Sequence, residues 1–268
     1  MTWHTKRLLT FDTETTGVDV NTDRIVTAAA IAVGGGQPTE PHTWLANPGI
    51  DIPAEATAVH GITTEQASAK GMPAEQAIDG LTAVLAGYLN RGVPIVGHNV
   101  VYDLTILDRE CRRYGLPTLL DRYEDSVIWP VIDTRVLDQH VLPFRRRVSE
   151  TQGARQLITL AQVYGLGWDE EAAHGSEYDA LMAARIAYRI SAIAHTPTGD
   201  RPEFVRRTRT QRFDDVAALD LEGLHHAQIK WAASQAASLQ EWFRKKDPAA
   251  VVEGAWPVIP HQAGGEQQ

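Results

Sequence analysis

Three short segments hold residues whose types and spacing could do chemistry. In "FDTETTG", Asp12 and Glu14 stand two positions apart in a run that reads as a strand end, so their side chains leave the same face. Two carboxylates held that close repel each other, and a proton or a divalent cation between them relieves the repulsion. Hard oxygen ligands favour Mg²⁺ or Mn²⁺. Taken alone, the pair also fits a polar strand end with Thr15 and Gly17 in an ordinary turn. In "PIVGHNVVYDLTIL", Gly97, His98 and Asn99 punctuate a strand end, and Asn99 is placed to cap the following helix. Asp103 falls on that helix's first turn, where the helix dipole by itself would favour an acid. In "AHGSEYDALMAA", His174 lies in a glycine-containing loop five residues before Asp179, an acid inside an alanine-rich helix that needs a partner if it faces inward.

The elements that must position these residues read as follows. "KRLLTFDTETTG", "RIVTAAAIAVGGG" and "EPHTWLANPG" are apolar runs parted by Gly, Pro, Asn and Asp, so three consecutive strands imply an antiparallel start. Helix and strand then alternate: "MPAEQAIDGLTAVLAGYL" is helical, "VPIVGHN" a short strand, "VYDLTILDRECRRYG" a helix and "SVIWPVIDT" a strand. Helices in "ARQLITLAQVYGL" and "SEYDALMAARIAYRISAIA" complete a mixed α/β domain over residues 1–195, the second burying a stripe of Leu181, Ala184, Ile186 and Ile190. "HTPTGDRP" lacks periodicity, so residues 196–220 read as a linker. Residues 221–268 read as one long helix and an extended tail.

A chain of 268 residues with 43% hydrophobic content can bury a full core. There is no run of about eighteen apolar residues and no leader pattern, so a soluble, cytoplasmic protein without a membrane is expected. The single cysteine, Cys111, excludes an internal disulfide and a cysteine-rich zinc site. A net charge of −9 argues against a protein that coats nucleic acid with a uniformly basic surface. It leaves room for an enzyme whose carboxylate centre is reversed in sign by bound cations.

The three segments, in order, resemble the motifs of the DEDDh branch of the DnaQ-like 3′→5′ exonucleases, and "AVHGIT" (Ala58 to Thr63) is similar to a segment those enzymes carry between the first two. The resemblance covers roughly residues 7 to 193. His174 lies five positions before Asp179, as the histidine branch requires, whereas the sister branch's tyrosine position is Gly175. The resemblance implies a ribonuclease-H-like fold with a central five-stranded mixed sheet flanked by helices. It also implies Asp12, Glu14, Asp103 and Asp179 as acids holding two Mg²⁺ or Mn²⁺ ions, and His174 as general base. Thr15 and Thr16 match positions that touch the terminal nucleotide, and His98 and Asn99 are candidate substrate contacts beside them.

In the two-metal scheme the cations sit ~4 Å apart around the scissile phosphate. Asp12 would bridge them, Glu14 and Asp179 would complete the first site, and Asp103 would help hold the second. His174 would take a proton from water near neutral pH. The expected substrate is single-stranded DNA or the 3′ end of DNA, with RNA as the alternative, and the product a nucleoside 5′-monophosphate. An idle nucleic-acid-binding module and a proofreading subunit docked on a polymerase are the competing readings, and self-association is left open.

Basic runs at Arg145 to Arg147, at Arg206, Arg207, Arg209 and Arg212, and at Arg244 to Lys246 could touch phosphates or form solvated faces. Arg145, inside the catalytic domain, is the first choice among them as a substrate contact. Trp231, Leu239, Trp242 and Phe243 on the long helix could stack on bases, although their spacing more often marks a packed face.

Overall fold

A computed structural model describes residues 2–208 and 211–261. Arg209, one of the basic residues singled out above, and residues 262–268 of the tail lie outside the described residues. The first three strands, β1 (Arg7–Thr15), β2 (Ile25–Gly34) and β3 (Glu40–Asn47), form the expected antiparallel meander. Next come α1 (Ala54–His60), α2 (Thr64–Lys70), β4 (Met72–Pro73), α3 (Ala74–Leu89), β5 (Ile95–Gly97), α4 (Val101–Arg113), α5 (Leu119–Arg122), β6 (Val131–Asp133) and α6 (Thr134–Val141). The chain closes with α7 (Leu157–Val163), α8 (Ser176–Ala194), α9 (Glu203–Arg206), α10 (Phe213–Ala217) and α11 (Leu221–Arg244).

The sheet order is β4-β3-β2-β1-β5-β6, with β5 parallel to β1 and to β6. The five expected strands are thus joined by a sixth, the two-residue β4, paired with the end of β3 at Ala46 and Asn47. Pro73 can sit there because an edge strand need not donate on its outer side. The run "SVIWPVIDT" forms strand only over its last residues, and α1, α2, α5 and α6 lie in stretches that the hydrophobic periodicity did not mark.

Two apolar layers enclose the sheet. Leu9, Phe11, Ala28 and Ala30 face α3 and α4, while Leu8, Val96 and Ile132 face α6, α7 and α8. Small side chains on β2 matter most for the site. Ala29 and Ile31 pack directly on Ala180 of α8, and the buried Thr10 hydroxyl donates to the Ala180 carbonyl. A larger residue at Ala29 would push α8 off the face from which Asp12 and Glu14 emerge.

Residues 196–220, expected to be a linker, instead carry α9 and α10 and bury Val205, Phe213 and Val216 in the core beside α8. Three apolar side chains spaced across a polar stretch were too sparse to register as periodicity. The long helix exists as expected, and it covers the open edge of β6. The Val131 N–H donates to His225 Nδ1 at 3.2 Å, the Asp133 N–H donates to Gln228 Oε1 at 2.8 Å, and Gln228 Nε2 donates to the Val131 carbonyl at 3.0 Å. Two helix side chains thereby replace a neighbouring strand, which is one way an edge is kept from pairing elsewhere. The tail is also held: Arg109 donates to the Ile259 and Pro260 carbonyls, and the Ile259 N–H donates to the Thr105 hydroxyl.

Candidate active site

The site forms where β1 ends. Asp12 and Glu14 pair across β2 with Ala29 and Thr27, so both lie on the α8 face, and a register shift follows directly after Glu14. Asp179, in the first turn of α8, completes a group in which each carboxylate offers an oxygen within 4.8 Å of the others. Asp103 arrives from the opposite layer, on α4. Its Oδ1 accepts both the Thr13 N–H at 3.0 Å and the Thr13 hydroxyl at 2.6 Å, which fixes the carboxyl group against the strand that carries Asp12 and Glu14. Gly97 is required where β5 turns into this region. An added Cβ would meet the Val100 side chain at 2.7 Å.

Burying these acids together raises their pKa values. Burial, then the charges of Asp103, Glu14 and Asp179, push the Asp12 carboxyl well above the carboxylate range. Burial, with Asp179 and Asp103 beside it, raises Glu14 to about 8. Burial raises Asp103 to about 7 against the two Thr13 hydrogen bonds, and Asp179 to about 6 against the neighbouring His174. Such a cluster retains protons unless a cation replaces them. The donor set suits a hard divalent ion: all the ligand atoms are carboxylate oxygens, and the buried Asp179 Oδ1 has no hydrogen-bond partner.

His174 is exposed and sits on the boundary of two clefts of about 500 and 560 Å³, one lined by Asp179 and the other by Glu14. Among the described residues, the non-glycine positions with positive φ are Asn99 (61°) and His174 (62°), and both line the first cleft. Left-handed backbone at such residues is costly and persists where the surroundings impose it, often at working sites.

The remaining candidates are placed less directly. Thr15 and Thr16 follow the acids, but their hydroxyls are already engaged. Thr15 bonds the Gly17 carbonyl and the Tyr102 hydroxyl, and Thr16 bonds Asp23. His98 lines the first cleft, yet its Nε2 donates to the Arg155 carbonyl at 3.0 Å and its Nδ1 meets the Thr134 hydroxyl at 2.8 Å. Burial lowers it to about 4, which keeps it neutral as a strut between β5 and the 155 turn. Asn99 does not cap α4. The N-cap is Val100, without a side-chain bond, and Asn99 Oδ1 instead accepts from Arg135 at 2.7 Å.

Arg145 is separate from the acids. Both its terminal nitrogens donate to Asp138 at 2.7 Å, an ion pair that anchors the 145–155 loop to α6. Sequence reasoning missed Arg135 and Trp168, both in the first cleft. Arg135 had a signal, because Asp133 caps α6 by accepting from the Arg135 and Val136 N–H groups, and a recognised cap would have put Arg135 at the strand's carboxyl end.

A mixed sheet with acids gathered at the end of its central strand and on two flanking helices defines a ribonuclease-H-like fold. The chain belongs to the DnaQ-like 3′→5′ exonuclease family: the Exonuclease family (RNase_T) matches residues 9–187. A DNA polymerase III subunit epsilon-like protein of Rhodobacter capsulatus is 32% identical over 183 residues, covering 67% of this chain and 23% of that protein. A PolC-type DNA polymerase III of Pediococcus pentosaceus is 24% identical over 178 residues, covering 66% of this chain and 11% of that one. Among solved structures, E. coli exonuclease I in complex with a dT13 oligonucleotide aligns with a TM-score of 0.56 at 19% identity, covering 69% of this chain and 41% of that one. The chain therefore spans less than half of each of these relatives.

Proposed function

We propose that this chain is a metal-dependent 3′→5′ exonuclease that removes nucleoside 5′-monophosphates from the 3′ ends of single-stranded DNA. The observation that carries the reading is the convergence of Asp12, Glu14 and Asp179 within 4.8 Å, with Asp103 locked beside them by Thr13 and His174 at the mouth. DNA is favoured because the relatives include DNA polymerase III proteins and an exonuclease I bound to dT13.

Asp12, Glu14 and Asp179 would hold Mg²⁺ or Mn²⁺, with Asp103 assisting a second ion. The bound ions would supply a more acidic water and stabilise charge on the phosphate and the departing oxygen. The chain's own residues do the rest. His174 takes the proton from the attacking water, whose oxygen bonds phosphorus as the bond from phosphorus to the 3′-oxygen breaks, and the departing 3′-oxygen takes a proton from solvent to become the new 3′-hydroxyl. Thr13 keeps Asp103 in register with the strand. His174, held in a left-handed turn, lines the same cleft as the neighbouring Asp179. Residues 1–195 supply this machinery, and α11 with the tail extends it.

The test is digestion of 5′-labelled single-stranded DNA and RNA with Mg²⁺, with Asp12→Ala as control. A ladder that shortens on DNA and is lost in the variant is the expected result. Faster shortening of RNA would reassign the substrate, and no shortening of either with Mg²⁺ or Mn²⁺ would overturn the proposal.

A further inference from the structure

A third cleft, of about 620 Å³, lies between α6, the turn at residues 153–156, α11 and the tail segment 252–256. It shares Asn99, Arg135, Arg155 and Gln156 with the cleft that holds His174 and Asp179, so the two adjoin along those residues and together outline a trough. Much of its far wall belongs to α11 and the tail, outside the residues the exonuclease family matches.

We propose that this trough binds the single-stranded stretch of nucleic acid lying 5′ of the nucleotide at the catalytic acids, with Trp242 as a base-stacking platform and Arg135 as the phosphate contact at the junction. The inference rests on the exonuclease reading for which end of the strand enters, and on the trough itself for the rest.

Three observations support that occupant. The first is adjacency, because a strand whose 3′ end reaches His174 meets this cleft next, along Asn99 and Arg135. The second is charge. Arg135 is exposed and, among the described residues, its side chain is bonded through one nitrogen to Asn99 Oδ1, leaving donors for a phosphate. Of the acids that line the trough, Asp133 is buried and accepts from the Asn99, Arg135, Val136 and Trp256 N–H groups, and the exposed Glu253, whose Oε1 accepts the Gly254 and Ala255 N–H groups at 2.8 Å, lies at the far end from Arg135 in the tail segment. The third is the wall. Trp242 is 54% exposed on a helix whose other tryptophan, Trp231, is stacked on His140, and Lys246 Nζ lies 5.9 Å from the Trp242 ring. An exposed indole with a cation beside it is a pairing that holds single strands without reading their sequence.

The test measures binding by the full chain, in EDTA, of a fluorescent, 3′-phosphorylated oligothymidylate of about ten nucleotides. Trp242→Ala should weaken affinity at least about fivefold, as loss of one stacked base does. Trp242→Phe should recover most of it. Phe144→Ala, an exposed aromatic that lines neither cleft, should bind like wild type. Equal affinity in wild type and Trp242→Ala overturns the proposal. Digestion of the unblocked oligonucleotide with Mg²⁺ separates the two readings. Digestion with binding indifferent to Trp242 removes the trough alone, whereas Trp242-dependent binding without digestion removes the exonuclease reading and leaves the trough.

Discussion

Thr13 and Asp103 join the two faces of the sheet at the candidate site: one threonine gives both its N–H and its hydroxyl to a single oxygen of an acid 90 positions away. Thr13 is not a ligand candidate, and Asp103 stands outside the three acids whose oxygens meet within 4.8 Å. Together they explain how a carboxyl group from the α4 layer is held beside three from the α8 face despite their mutual repulsion.

Replacing that hydroxyl should therefore act through Asp103. Thr13→Val keeps the β-branched shape and the backbone bond but loses the 2.6 Å contact. A hydrogen bond to a charged group contributes about 1.5–3 kcal/mol, so kcat/KM should fall roughly 10- to 100-fold. Thr13→Ser should restore most of the rate. Equal rates in Thr13→Val and wild type would remove this positioning role.

Separating metal binding from proton transfer is the purpose of a second pair of variants. Saturating Mg²⁺, at about 100 times its Kd, should raise stability by about 3 kcal/mol, a midpoint shift of roughly 5–10 °C for a chain this long. His174→Ala should keep that shift and lose about 10²–10⁴ in rate. Asp12→Asn should lose both. Near-normal turnover in His174→Ala would take His174 out of the chemistry.

A third expectation concerns the helix that covers β6. His225 is buried, and burial together with His226 lowers its pKa to about 4 while Nδ1 accepts the Val131 N–H. The unfolded chain binds this proton below about 6.5 and the folded chain only below about 4, so the stability tied to His225 is present above about pH 6.5 and lost as pH falls toward 4. His225→Gln retains an acceptor and does not titrate. Between about pH 7 and 4 the wild type should lose up to about 3 kcal/mol relative to this variant in denaturant unfolding. Parallel pH curves for the two would contradict the buried-neutral state.

What the sequence made legible follows distance along the chain. Asp12 and Glu14 share a face because a strand has period two, and His174 and Asp179 share a short loop and helix start, so both pairs could be read locally. The antiparallel start was likewise carried by neighbouring runs. Long-range partners were not legible: nothing in "DTETTG" announces that Thr13 will hold Asp103, and His225 and Gln228 look like ordinary polar positions on an amphipathic helix. The ion pair of Arg145 was not legible either, because its partner Asp138 lies on α6, a helix that the apolar pattern did not mark.

The most direct measurement of the central claim follows the label rather than the rate. Matched single-stranded DNA labelled at the 5′ end or on the 3′-terminal nucleotide is digested with Mg²⁺ by wild type and by an Asp12→Ala variant shown by circular dichroism to be folded. The account requires the 3′ label to leave first, as a 5′-mononucleotide, while the 5′ label moves gradually to shorter fragments, with both changes absent in Asp12→Ala. Early release of the 5′ label, or unchanged digestion by Asp12→Ala, would contradict it.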